Sequence, residues 1–142
     1  MIRIEIFNNH PGRRVRHGEI RKAAAAVLRG EGETDALVRV ICTGDSLMKR
    51  LNRAWLGHRS TTDVLTFTLE SGRGKTLEGE IYVNLDQARR QARDAGVTDR
   101  NEIARLVVHG SLHLLGYDDA TPPLRRKMAG REDVYLDRLK AG

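Results

Sequence analysis

Two histidines one helical turn apart, followed by a glycine and then an acidic residue, constrain this chain of 142 residues more than any other feature. The run reads His109-Gly-Ser-Leu-His113-Leu-Leu-Gly116-Tyr-Asp-Asp119. Upstream, Ile103, Leu106 and Val107 recur at helical spacing, and Asp99 with Glu102 forms a capping-box pattern that predicts where the helix starts. Residues i and i+4 of a helix lie one above the other, so His109 and His113 share a face. Gly116 permits the left-handed turn that ends the helix and doubles the chain back. Asp119 then reaches the third corner of a site, with Asp118 as the fallback third ligand.

Two neutral imidazole nitrogens and a carboxylate oxygen suit zinc with a fourth position left open, and iron or manganese also fits such a set. A site left open is a catalytic site. The spacing resembles that of the metzincin metalloproteases, which need a glutamate directly after the first histidine as general base. Gly110 stands there and can neither take nor give a proton, so peptidase activity is not expected.

The rest of the chain predicts a single α+β domain over residues 1–142, with a mixed sheet of about four strands and about five helices, the metal site lying on a helix and the following turn. Ile2, Ile4 and Ile6 alternate, so a half-buried strand opens the chain. A helix over 17–29 follows, carrying Ile20, Ala24, Val27 and Leu28 on one stripe and ending at Gly30 and Gly32. Leu37 to Cys42 reads as a strand, and Asp45 caps a short helix through Leu47, Leu51 and Trp55. Residues 57–61 read as a loop. Strands are predicted over Val64 to Leu69 and Glu80 to Leu85, joined by a loop rich in glycine and charge. A helix through Ala88, Ala92 and Ala95 ends at Gly96, and Thr121, Pro122 and Pro123 open the last one. Thr62 and Asp63 read as a loop cap before the strand, and His10 and His17 as surface residues without a partner.

Aromatic residues make up only 4% of the chain, so aliphatic side chains must fill the core. The single cysteine, Cys42, lies in an apolar strand, which excludes a disulfide framework and points to a packed, reduced thiol in a cytoplasmic protein. No apolar run is long enough for a membrane span, and the N-terminus alternates instead of reading as a signal sequence. The net charge of +6 is concentrated where Arg13, Arg14, Arg16, Arg21 and Lys22 stand against Glu19 alone. Arg125, Arg126 and Lys127 form a second cluster. Clustered guanidinium and ammonium groups favour a polyanion such as nucleic acid, and a solvated helix face is the other reading of such a run.

The run from His109 to Asp119, with LNRAWLGHRSTTDVLTF (Leu51 to Phe67) and GEIYVNLDQARRQA (Gly79 to Ala92), resembles the YbeY family of bacterial metal-dependent endoribonucleases. Three blocks in order carry the resemblance over nearly the whole chain. It implies an α+β fold, one zinc ion on a helix, cleavage of single-stranded RNA, and a role in small-subunit rRNA maturation and ribosome quality control. The ribosome and rRNA would be its partners, with no membrane and no DNA. Two positions depart from the family pattern. Asp119 stands where the third ligand is usually histidine, and Leu56 where an arginine is usual. Nearby, His58 is a candidate proton donor or extra ligand and Arg59 a candidate phosphate clamp.

These readings give His109, His113 and Asp119 as metal ligands, His58 and Arg59 as catalytic residues, and Arg13, Arg14, Arg16, Arg21 and Lys22 as the RNA-binding set. The scarcity of aromatics argues against base stacking as the main source of affinity. Two other readings stay open at this point: an RNA-binding ribosome-biogenesis factor with a structural metal, and a metal-dependent hydrolase of another substrate.

Overall fold

The computed structural model describes residues 1–56 and 62–141. Strand β1 (Ile2–Asn8) leads into helix α1 (His17–Gly30), then β2 (Ala36–Thr43) and α2 (Asp45–Leu56). Strands β3 (Val64–Glu70) and β4 (Leu77–Asn84) precede α3 (Leu85–Ala95), α4 (Asp99–Leu114) and α5 (Pro122–Ala141). The sheet order is β1-β2-β4-β3, with β1, β2 and β4 parallel and β3 antiparallel to β4. This is the single α+β domain and mixed sheet expected from the sequence.

Alternation decides which side of the sheet the helices cover. Ile4, Val38, Val40, Cys42, Ile81 and Val83 are buried on one side beneath the helices. On the other, Arg39 of β2 pairs with Glu5 of β1 at 3.3 Å and Glu78 of β4 at 3.3 Å, a charged cross-strand ladder facing water. Cys42 is fully buried, and desolvation pushes its thiol up to about 12, so it packs as a small apolar group.

Helix α4 is the keystone. It packs against β3, β4, α1, α3 and α5, and Leu106, Val107, Val108, Leu112 and Leu114 are all buried. Gly110 explains how close it lies. A Cβ there would stand 2.7 Å from Cγ2 of Ile81 and 3.3 Å from Cγ2 of Val64, so only glycine lets the helix rest on the sheet at this point.

Three local expectations need correction. Strand β4 begins at Leu77, not Glu80, because Leu77 pairs with Ala36 of β2 and is buried, a long-range partnership that the polar composition of the preceding loop conceals. The N-cap of α4 is Thr98, whose Oγ1 accepts from the Asn101 N–H; Asp99 is already helical. His10 is no free surface residue either, since its Nε2 lies 2.9 Å from Oδ1 of Asp86, at the start of α3. Arg13 donates to the same oxygen at 3.0 Å, and Oδ2 accepts from the Asp45 N–H. Although burial raises it, Asp86 is held down to about 2 by the hydrogen bonds from His10, Asp45 and Arg13.

Candidate metal centre

The turn after α4 closes as a Schellman motif. The Tyr117 N–H donates to the Leu112 carbonyl and the Gly116 N–H to the His113 carbonyl, with Gly116 at φ +95°, where a side chain would be strained. Reversal at that point carries Asp119 back over the histidine face. The atoms that meet are His109 Nε2, His113 Nε2 and Asp119 Oδ2. The two ring nitrogens are 3.1 Å apart, and the carboxylate oxygen lies 3.6 Å from the first and 3.7 Å from the second. These separations match the edges of a tetrahedron with metal–ligand bonds of about 2.0–2.1 Å, which are about 3.3 Å long.

Both imidazoles are committed at their other nitrogen. His113 Nδ1 lies 2.9 Å from the backbone carbonyl of Tyr117, which can only accept, so Nδ1 carries the proton and donates. His109 Nδ1 lies 2.8 Å from Glu132 Oε2 of α5 and donates to that carboxylate in the same way. Rings held so turn their Nε2 atoms toward each other and toward an anionic oxygen. Such a cluster of acceptors calls for a cation, and the donor set fits a divalent metal ion. Asp119 is 46% exposed in its side chain, so the side of the site away from α4 is open to solvent.

A charged network holds Glu132 in place. Arg105 donates to Glu102 at 2.6 and 2.9 Å and to Glu132 at 3.4 Å, with Asp63 at 4.0 Å. Glu102 is buried and also accepts from Gln91 of α3 at 2.7 Å. Burial lowers the pKa of His109, but Glu132, Asp119 and Asp63 outweigh it and raise the net value. On the far side, Tyr117 and Tyr135 donate their hydroxyls to Glu31, and Arg131 adds a 2.7 Å bond, anchoring the residue whose carbonyl orients His113.

The three expected ligands therefore come together. Asp118 does not join them, because its Oδ1 accepts from the Ala120 N–H at 2.8 Å and shapes the turn. Thr62 and Asp63 keep the structural role expected: their carbonyls accept from Asn84, which also caps α3. His58 and Arg59 lie outside the described residues. Of the basic set, only Arg21 and Lys22 belong to α1, while Arg13, Arg14 and Arg16 precede it. Sequence reasoning missed Glu132 and Arg105, and it gave Arg125 no part in the site. Arg125 donates to the Asp119 carbonyl at 3.3 Å, which places a cation beside a metal ligand. An arginine at the first turn of a helix opened by two prolines is the only local signal for it.

A family model described as Endoribonuclease YbeY matches residues 5–140. The chain belongs to the YbeY family. Among relatives, it is 38% identical over 137 residues to Endoribonuclease YbeY of Chlorobaculum parvum, covering 96% of this chain and 95% of that one. It is 37% identical over 141 residues to Endoribonuclease YbeY of Salinibacter ruber, covering 94% and 90%. The solution structure of TM1509 from Thermotoga maritima superposes with a TM-score of 0.67 at 29% identity, over 96% of this chain and 88% of that one.

Proposed function

We propose that this chain is a metal-dependent endoribonuclease that cuts single-stranded RNA during small-subunit rRNA maturation and ribosome quality control, with zinc as its ion and the cytoplasm as its compartment. The observation that carries the reading is the pair of Nε2 acceptors 3.1 Å apart, facing a carboxylate oxygen on the solvent side of α4. His109, His113 and Asp119 hold the ion, Glu132 and the Tyr117 carbonyl set the tautomers, and the open side admits substrate. When bound, the ion supplies Lewis acidity toward a phosphoryl oxygen and a water or hydroxyl. A structural metal would be enclosed by protein ligands, so the exposed third corner favours catalysis over the binding-factor reading.

The chain's other residues have separable tasks. Arg125, seated on the Asp119 carbonyl, meets the phosphate charge that Asp119 by itself repels. His58 acts as proton donor and Arg59 as phosphate clamp; in sequence they stand four and three residues before Thr62, and Asp63 reaches Arg105 beside the site. Arg14, Arg16, Arg21 and Lys22 track the RNA backbone, supported by their clustering in sequence around the start of α1, whereas Arg13 of the same run is engaged by Asp86.

The deciding experiment combines metal analysis of the purified protein with cleavage of matched single-stranded and duplex RNA by the native chain and His113→Ala. One divalent ion per chain, cleavage of the single strand alone, and loss of both in the variant are expected. RNA binding without metal-dependent cleavage by either protein would overturn the enzymatic reading.

A further inference from the structure

A cavity of about 420 Å³ opens where the segment before α1 meets the first turns of α3 and α4, away from the metal centre. Arg100 and His109 stand roughly 13 Å apart along the α4 axis, and Ile103 and His109 face directions about 120° apart around it. The cleft is therefore separate from the histidine face.

Five arginines line it against two acidic residues, Glu19 and Asp99, and its floor is apolar. Arg13 is spent on Asp86 and Arg100 on Glu19. Arg14, Arg16 and Arg89 also line the cleft; Arg16 lies close enough to Glu19 to help lower its pKa, while the guanidinium groups of Arg14 and Arg89 make no hydrogen bond or ion pair with any described residue. Arg89 is half-buried. Arg14 and Arg16 are exposed at the rim and Arg89 stands on the α3 side, so the cleft offers guanidinium groups to an anion that arrives from outside. Between the arginines lie Val15 and Ile103, both partly buried, offering a surface on which a flat apolar group can rest. Anionic groups joined to flat, weakly polar rings are the chemistry of nucleotides, and arginine planes stack on bases where aromatics are absent.

We propose that this cleft is a second RNA subsite, in which Arg89 with Arg14 and Arg16 grips a backbone phosphate and a neighbouring base rests on the floor of Val15 and Ile103. It anchors a flank of the strand several nucleotides from the scissile bond. The inference rests on the reading of single-stranded RNA as substrate, and Arg89, absent from the basic runs of the sequence, is its new member.

The test measures binding of a fluorescent twelve-nucleotide single-stranded RNA to the full chain in the presence of a chelator, so that cleavage plays no part. Arg89→Ala should weaken binding on the order of tenfold. With Arg14→Ala added, the log–log salt slope should flatten by about 0.7, the contribution of the one phosphate of the single strand that is no longer neutralised. Arg73→Ala, an exposed charge on the β3–β4 turn, is the matched control and should change affinity less than twofold. Equal effects of Arg73→Ala and Arg89→Ala would reduce the effect to net charge and overturn the subsite. Unchanged RNA affinity in Arg89→Ala, with loss of binding to a twelve-residue acidic peptide, would also overturn it and give the cleft to a protein partner. A chain that binds RNA through the cleft yet never cleaves it would refute the nuclease reading alone.

Discussion

Glu132 of α5 holds Nδ1 of His109 on α4 at 2.8 Å, across 23 residues of chain, and so ties the last helix to the metal centre. Because Arg105 also bonds Glu132, the carboxylate is fixed before any ion arrives. Glu132→Gln keeps the size but loses the charge that makes His109 a strong donor. Zinc affinity, measured by competition with a chromophoric chelator, should fall about 10- to 100-fold while the fold persists. Unaltered affinity would mean that Glu132 only packs.

Removing a candidate cation should separate substrate handling from metal handling. Arg125→Ala should raise KM for RNA by about tenfold and leave metal content at one ion per chain. His58→Ala and Arg59→Ala should each lower cleavage tenfold or more, also with full metal content. Loss of metal from His58→Ala would make His58 a fourth ligand. Native cleavage by both variants would remove that loop from the mechanism.

Gly110→Ala should destabilise the protein by about 1–3 kcal/mol in urea unfolding, the usual cost of an extra methyl in a filled contact. The added Cβ meets Cγ2 of Ile81 at 2.7 Å, so trimming that side chain should help. The double variant Gly110→Ala with Ile81→Ala, which removes Cγ2, should recover part of the summed loss beyond additivity, and strict additivity would contradict the proposed contact.

Acid should loosen the support beneath Tyr117. Burial raises the Glu31 carboxyl, but hydrogen bonds from Tyr117, Tyr135 and Arg131 hold it down to about 2, against an ordinary value of 4.5. A depressed carboxylate contributes stability that is fully present above about pH 4.5 and is lost as pH falls toward 2. Thermal melts should therefore show the native chain ahead of Glu31→Gln at pH 6 and the gap shrinking as pH falls below 4.5. A gap independent of pH would assign the effect to packing.

Local geometry made part of this protein legible from its residues alone. His109, His113, Gly116 and Asp119 fall within one helix end and one turn, where the period of 3.6 and the left-handed preference of glycine decide which atoms meet. Alternation in β1 and β2 and the apolar stripe of α1 fixed the core face by the same short-range logic. Tertiary packing decided the rest. Glu132 reaches His109 only because α5 folds back along α4, and His10 finds Asp86 across 76 residues only because β1 ends beside the start of α3. Leu77 joins β4 because Ala36 is there to pair with it. In the sequence Gly110 reads as a missing base; in the fold, the absent side chain makes room for Ile81. A one-dimensional pattern carries the periodicities of single elements, whereas the partners of buried charges and the space left for a side chain depend on how those elements are stacked.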